Sequence, residues 1–146
     1  MQPPRPSRPS PPPAVAAELD RGVPPAHAGD RVRLDLAPDA DALAQARRFL
    51  HVYAQQSGFD EDGADDLVQA AAELLAAGGT THQPVAVAVQ ESRDALTVLV
   101  DLAGPATVDV ADDAVLLLSG LSREWGWRRS SEAVQVWCEV PVRAPR

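Results

Sequence analysis

Two carboxylates stand among residues that could support chemistry. Glu73 lies late in the apolar-periodic stretch Leu67-Val68-Gln69-Ala70-Ala71-Ala72-Glu73-Leu74-Leu75, ahead of Gly78-Gly79. Asp101 follows the run Leu96-Thr97-Val98-Leu99-Val100. A carboxylate near the end of a buried helix, followed by a flexible glycine pair, is a plausible place for a site. The same pattern also describes an amphipathic helix with a solvated acid. His82, in the loop after the glycines, would give Glu73 an acid–base partner, a link carried by spacing alone. Arg47-Arg48 suit an anion or an acidic partner, or flank a helix in water. Asp60-Glu61-Asp62 suit a basic partner, or the positive end of a helix dipole.

Composition removes several chemistries. The chain has 146 residues, a net charge of −8 and thirteen basic residues, all of them arginine. An acidic chain is a poor nonspecific nucleic-acid binder, so no nucleic-acid partner is expected. Without lysine there is no Schiff base, no amine general base and no lysine for a phosphate. The strings GxxxxGK[ST], GxGxxG and GxSxG are absent. His27, His51 and His82 are far apart and Cys138 is the single cysteine, so neither a zinc site nor an intrachain disulfide is expected. Cys138 is expected as a small core residue. One thiol, no apolar run of membrane length and no secretory leader pattern fit a cytoplasmic protein without a membrane partner.

The elements that would position these residues follow from periodicity. Residues 1–29 hold nine of the fourteen prolines and predict a disordered or polyproline-like tail. Its strings Pro3-Pro4-Arg5-Pro6 and Pro6-Ser7-Arg8-Pro9 fit PxxP, either as a docking tail or as an unstructured extension. Arg31–Leu36 alternates as an edge strand. Pro38-Asp39 opens a helix with Leu43, Ala46, Phe49, Leu50 and Tyr53 on one face, closed by Gly58. A second helix starts at Asp60-Glu61-Asp62 and ends at Gly78-Gly79, with Glu73 and Ala77 on one face. Val85, Val87 and Val89, then Leu96, Val98 and Val100, predict an antiparallel hairpin with Asp101 at its end. A loop to about Val110, a helix from Asp112-Asp113 to near Glu124, and strands from Trp125-Gly126-Trp127 and over Val134–Val140 complete the chain. The expected fold is α+β: a two-layer sandwich with one mostly antiparallel sheet covered on one face by about three helices. The domain spans 30–142, between the tail and residues 143–146.

Several strings, in this order, resemble the single-domain anti-sigma-factor serine kinases and their actinobacterial relatives, within the histidine kinase/Hsp90-like ATPase superfamily. Ala46-Arg47-Arg48 is similar to that family's first-helix signature, and Ala72-Glu73-Leu74-Leu75 to the start of its N-box. Val98-Leu99-Val100-Asp101 is similar to the strand ending in its adenine-reading aspartate. Leu116-Leu117-Leu118 through Leu121 with Trp125-Gly126, and Val136-Trp137-Cys138-Glu139-Val140-Pro141, resemble its later helix and last strand. The resemblance implies ATP with magnesium as cofactor, Glu73 as base toward a protein serine, and Asp101 and Gly104 as nucleotide contacts.

The departures point the other way. Ala77 stands where the family's magnesium-binding asparagine would be, and an alanine methyl coordinates nothing. Asp101-Leu102-Ala103-Gly104-Pro105 replaces Asp-x-Gly-x-Gly, and Asp112-Asp113-Ala114 replaces Gly-x-Gly. Two like charges ~4 Å apart at an effective dielectric of ~20 repel by roughly 4 kcal/mol before screening, which disfavours a triphosphate there. The resulting expectation is a regulatory protein-binding module, anti-sigma-like, with lost or weak ATP binding, no kinase activity and no cofactor or metal. Its partner would be a sigma factor, an anti-sigma antagonist or a related kinase-fold protein. Relatives often form homodimers. An active serine kinase using Glu73 and Asp101, and a scaffold recruiting through the proline-rich tail, are the alternatives.

Overall fold

Alternating apolar side chains make the strands, and pairing fixes the direction in which each row points. The computed structural model describes residues 31–92, 94–129 and 133–142. The elements are β1 (Arg31–Asp35), α1 (Ala42–Gln56), α2 (Glu61–Leu75), β2 (Gln83–Glu91), β3 (Ala95–Ala103), α3 (Asp112–Leu121), β4 (Glu124–Arg129) and β5 (Ala133–Pro141). They form a five-stranded sheet in the order β1-β2-β3-β5-β4, antiparallel at every neighbouring pair. α3 carries the chain from β3 to the far edge, and β5 returns between them. The fold is the expected α+β sandwich. The expected tail, with its PxxP strings and His27, and residues 143–146 lie outside the described residues.

One face of the sheet meets the helices. Val87 and Val89, Val98, Val100 and Leu102, and Val134 and Val136 share a core with Leu50, Leu67, Leu74 and Leu118 of the helices. Intervening residues point the other way, in three rows across the strands: Arg31-Gln90-Thr97-Glu139-Glu124, Arg33-Ala88-Leu99-Trp137-Gly126 and Asp35-Ala86-Asp101-Gln135-Arg128.

α1 buries the ridge Ala42-Ala46-Leu50-Ala54, an i, i+4 row whose alanines allow close approach. Leu43 is 41% exposed rather than core-facing, because it lies one residue off that ridge. Pro38-Asp39 make a turn ahead of the helix, in which Asp39 Oδ1 accepts from the Asp41 amide at 2.8 Å. In α2, Asp60 is the N-cap, its Oδ1 accepting from the Gly63 amide at 2.7 Å. Glu61 and Asp62 follow in the first turn, where negative charge meets the helix dipole.

The third helix stops at Leu121 rather than near Glu124. The Ser122 hydroxyl donates to the Leu118 carbonyl, and the Arg123 amide donates to Glu139 O at 2.7 Å. Glu124 is thereby committed to β4 opposite Glu139. Trp125 and Trp127 point into the core with ring centroids 5.6 Å apart. Cys138 is buried in the same core, and desolvation pushes its thiol up to about 12. Among the described residues, no helix is long and apolar enough to cross a membrane.

Candidate functional site

Asp101 is fixed by the sheet. Its neighbours Val100 and Leu102 belong to the helix-covered core, so alternation turns the Asp101 side chain onto the opposite face, which none of the described helices covers. There Oδ2 accepts from Arg33 Nη1 at 3.0 Å and Oδ1 accepts from Gln135 Nε2 at 3.0 Å. Arg33 Nε also donates to Asp35 Oδ1 at 2.9 Å, and Arg128 Nε donates to Gln135 Oε1 at 3.1 Å. The result is a polar row, Asp35–Arg33–Asp101–Gln135–Arg128, spanning the sheet. The Arg33 guanidinium is held above its ordinary value, first by its hydrogen bond to Asp35 and then by the charges of Asp101 and Asp35. Asp101 was expected at the strand end. β3 instead continues to Ala103, because Leu102 and Ala103 pair with Val134 and Ala133.

Glu73 sits elsewhere, half-buried on α2, where its Oε2 accepts from Gln69 Nε2 at 3.2 Å, one helical turn earlier. The helix ends at Leu75 with Ala76 as C-cap. Ala77 therefore lies in the following turn, its amide donating to Leu74 O at 3.2 Å, and does not share a helical face with Glu73 as expected. Gly79 carries the left-handed turn, at φ 57°. Because α2 packs on the core face and Asp101 points away from it, the sheet separates Glu73 from Asp101.

His82 takes a role that spacing did not reveal. Its Nε2 lies 2.9 Å from Pro105 O and its Nδ1 lies 2.8 Å from Thr81 Oγ1. A carbonyl only accepts, so the Pro105 contact places a proton on Nε2. The Thr81 hydroxyl, one proton in hand, faces both Nδ1 and Gly78 O, the latter at 2.8 Å. Two glycines admit the ring. A Cβ on Gly78 would stand 2.3 Å from His82 Cβ, and one on Gly104 (φ 148°) would stand 2.7 Å from Thr81 O and 2.9 Å from His82 Cδ2. Gly104, expected as a nucleotide contact, thus packs against a clamp that ties the α2–β2 turn to the β3–α3 loop. Both His82 ring nitrogens are engaged in that clamp, so His82 does not pair with Glu73.

As placed, these residues do not fit a magnesium-bound triphosphate. The carboxylates stand on opposite sides of the sheet, and both Asp101 oxygens already have donors. Position 77 offers a methyl group, and Asp112 and Asp113 occupy the exposed first turn of α3. Among the described residues, no group of three or more His, Cys, Asp or Glu is arranged to hold a metal ion.

An opening lies between the first two helices. A groove of about 590 Å³ is lined by Arg47, Arg48 and His51 of α1 and by Asp65, Val68 and Gln69 of α2, among others. Val52, beside it, is 53% exposed. Among the described residues, neither Arg47 nor Arg48 is ion-paired. Two guanidinium groups thus stand beside the apolar side chains of Val52, Val68 and Ala72. A second groove of about 270 Å³ continues along the same helix pair past Ala72, toward Leu43, Leu75 and Pro84.

Neither a scan against protein-family models nor a search of curated protein sequences finds a match for this chain.

Proposed function

We propose that this chain is a regulatory protein-binding module of the anti-sigma kind that its sequence resembles, without tight Mg-ATP binding or protein-kinase activity. The observation that supports it most is Asp101. On the face away from the described helices, with Arg33 on one oxygen and Gln135 on the other, it serves as a cross-strand tie and does not converge with Glu73. Phosphoryl transfer depends on positioning and on neutralising the phosphates, and this arrangement supplies neither. A partner-switching role needs only a surface. The α1–α2 groove offers one, with Arg47 and Arg48 meeting acidic side chains and Val52 and Val68 meeting apolar ones. The partner would be a sigma factor, an anti-sigma antagonist or a related kinase-fold protein, met in the cytoplasm.

The test is capture of such a partner by the full chain, with and without ATP. The expected outcome is a stoichiometric complex that ATP leaves unchanged and that Arg47→Glu with Arg48→Glu weakens. Phosphate transfer to a serine of the partner, lost in Glu73→Gln, would replace this reading with the active kinase.

A further inference from the structure

The outer surface of the helix layer carries apolar side chains that the fold leaves in water. On α3, Leu116 is 73% exposed and Leu117 40%. The helix already buries Ala114 and Leu118, so at about 100° per residue Leu116 points away from the core. Asp112, Leu116 and Gly120 stand four apart along that outward stripe, with Asp113 and Leu117 beside it. All five are exposed. A Cβ on Gly120 would meet no atom within 4 Å, so no packing among the described residues calls for a glycine there. Glycine weakens a helix interior, and its place on an exposed stripe suits the close approach of another backbone.

We propose that α3 of one copy of this chain docks in the α1–α2 groove of a second copy, and the reverse, in a two-fold dimer. The groove is the complementary surface. Arg47 and Arg48 line it without an ion pair among the described residues. Exposed Val52 lies one turn after Arg48 on the same helix. On α3, Leu116 lies one turn after Asp112, and Leu117 one turn after Asp113. Laid alongside one another, the two helices bring carboxylates to the guanidinium groups and leucines to Val52 and Val68 in a single register. Asp65 also lines the groove and leaves the arginines in excess.

The layer has the geometry for a two-fold. α2 packs against both α1 and α3, so the helices run in the order α1-α2-α3. The groove lies on one side of α2 and the leucine stripe on the other. A two-fold axis above α2 exchanges the two sides, and each chain then gives its α3 and receives the other's. The contact is thereby made twice. That doubling matters, because one helix face ~15 Å long and ~10 Å wide covers far less than the ~800 Å² per partner of a specific interface. The chain's own residues 1–29 match the groove less well, with Arg5, Arg8 and Arg21 against Glu18 and Asp20. The inference does not rest on the regulatory reading above. Where both hold, the second copy and the partner compete for one groove.

The test is sedimentation equilibrium of the full chain, alone, across a range of concentrations. A monomer–dimer equilibrium is expected. Arg47→Glu with Arg48→Glu should raise its dissociation constant roughly tenfold or more, and so should Asp112→Arg with Asp113→Arg, each with circular dichroism unchanged. Mixed in equal amounts, the two variants should regain the wild-type dimer, because every groove again meets an α3 of opposite charge. Leu116→Ser with Leu117→Ser, at exposed positions, should give the same loss through the apolar contact should a charge reversal lower the yield. A chain that is monomeric at every concentration overturns the proposal and leaves the groove to residues 1–29 or to another protein. A dimer that both reversals leave intact overturns it, as does a mixture that stays monomeric. Masses beyond the dimer overturn the two-fold and describe a head-to-tail chain.

Discussion

Replacing Asp101 separates its two hydrogen bonds. Asp101→Asn keeps the shape and one carbonyl oxygen for Gln135 Nε2, and it removes the charge that Arg33 meets. The side chains are 54% exposed for Arg33 and 20% for Asp101, so water screens much of that pairing and the loss is about 0.5–1 kcal/mol. Asp101→Ala also removes the acceptor of Gln135 Nε2, which adds about 1 kcal/mol. The expected ladder is therefore wild type, then Asn, then Ala, with the last step near 2 kcal/mol in total. Urea unfolding reads it as a shift of midpoint at constant slope. A double-mutant cycle with Arg33→Ala should return a coupling of about 0.5–1 kcal/mol. Asp101→Ala as stable as wild type, with zero coupling to Arg33, would refute the tie. A loss of nucleotide binding on Asp101→Asn would refute the structural role more directly.

Other expectations follow from the same packing. Gly58 and Gly104 both have positive φ, but only Gly104 is crowded. Gly58→Ala should cost about 1 kcal/mol, and Gly104→Ala about 2–4 kcal/mol, because Thr81 and His82 must move; thermal melts compare them. Leu50→Ala, fully buried, should cost about 2–5 kcal/mol. Leu116→Ala, 73% exposed, should stay within about 0.5 kcal/mol. Cys138 has its thiol raised from 9.0 to about 12 by burial. The unfolded chain therefore ionises first, and the stability contribution is complete below pH ~9 and falls as pH rises toward ~12. Denaturant titrations across that range check the sign, and thiol labelling near neutral pH should proceed only through unfolding.

The parts of this fold legible in sequence are those set by local periodicity. Period-two alternation located β2, β3 and β5, and the 3.6 period located α1 and α2. Element ends were less legible, because partners decide them. Glu124 reads as helix until Glu139 claims it, and Leu102-Ala103 read as loop until Val134 and Ala133 pair with them. The face of Asp101 was available in principle: the parity that sends Val98 and Val100 inward sends Asp101 outward. The His82 clamp was not legible at all, since it joins Gly78, Gly104 and Pro105 across elements that only the folded chain brings together.

Whether Glu73 and Asp101 serve a nucleotide pocket decides between the regulatory module and the kinase. Calorimetric titration of ATP into the full chain, with and without Mg²⁺, tests that most directly. No heat of binding is expected in either condition from protein shown to be folded by circular dichroism. Binding that tightens with Mg²⁺ would contradict it and make the kinase reading the leading one.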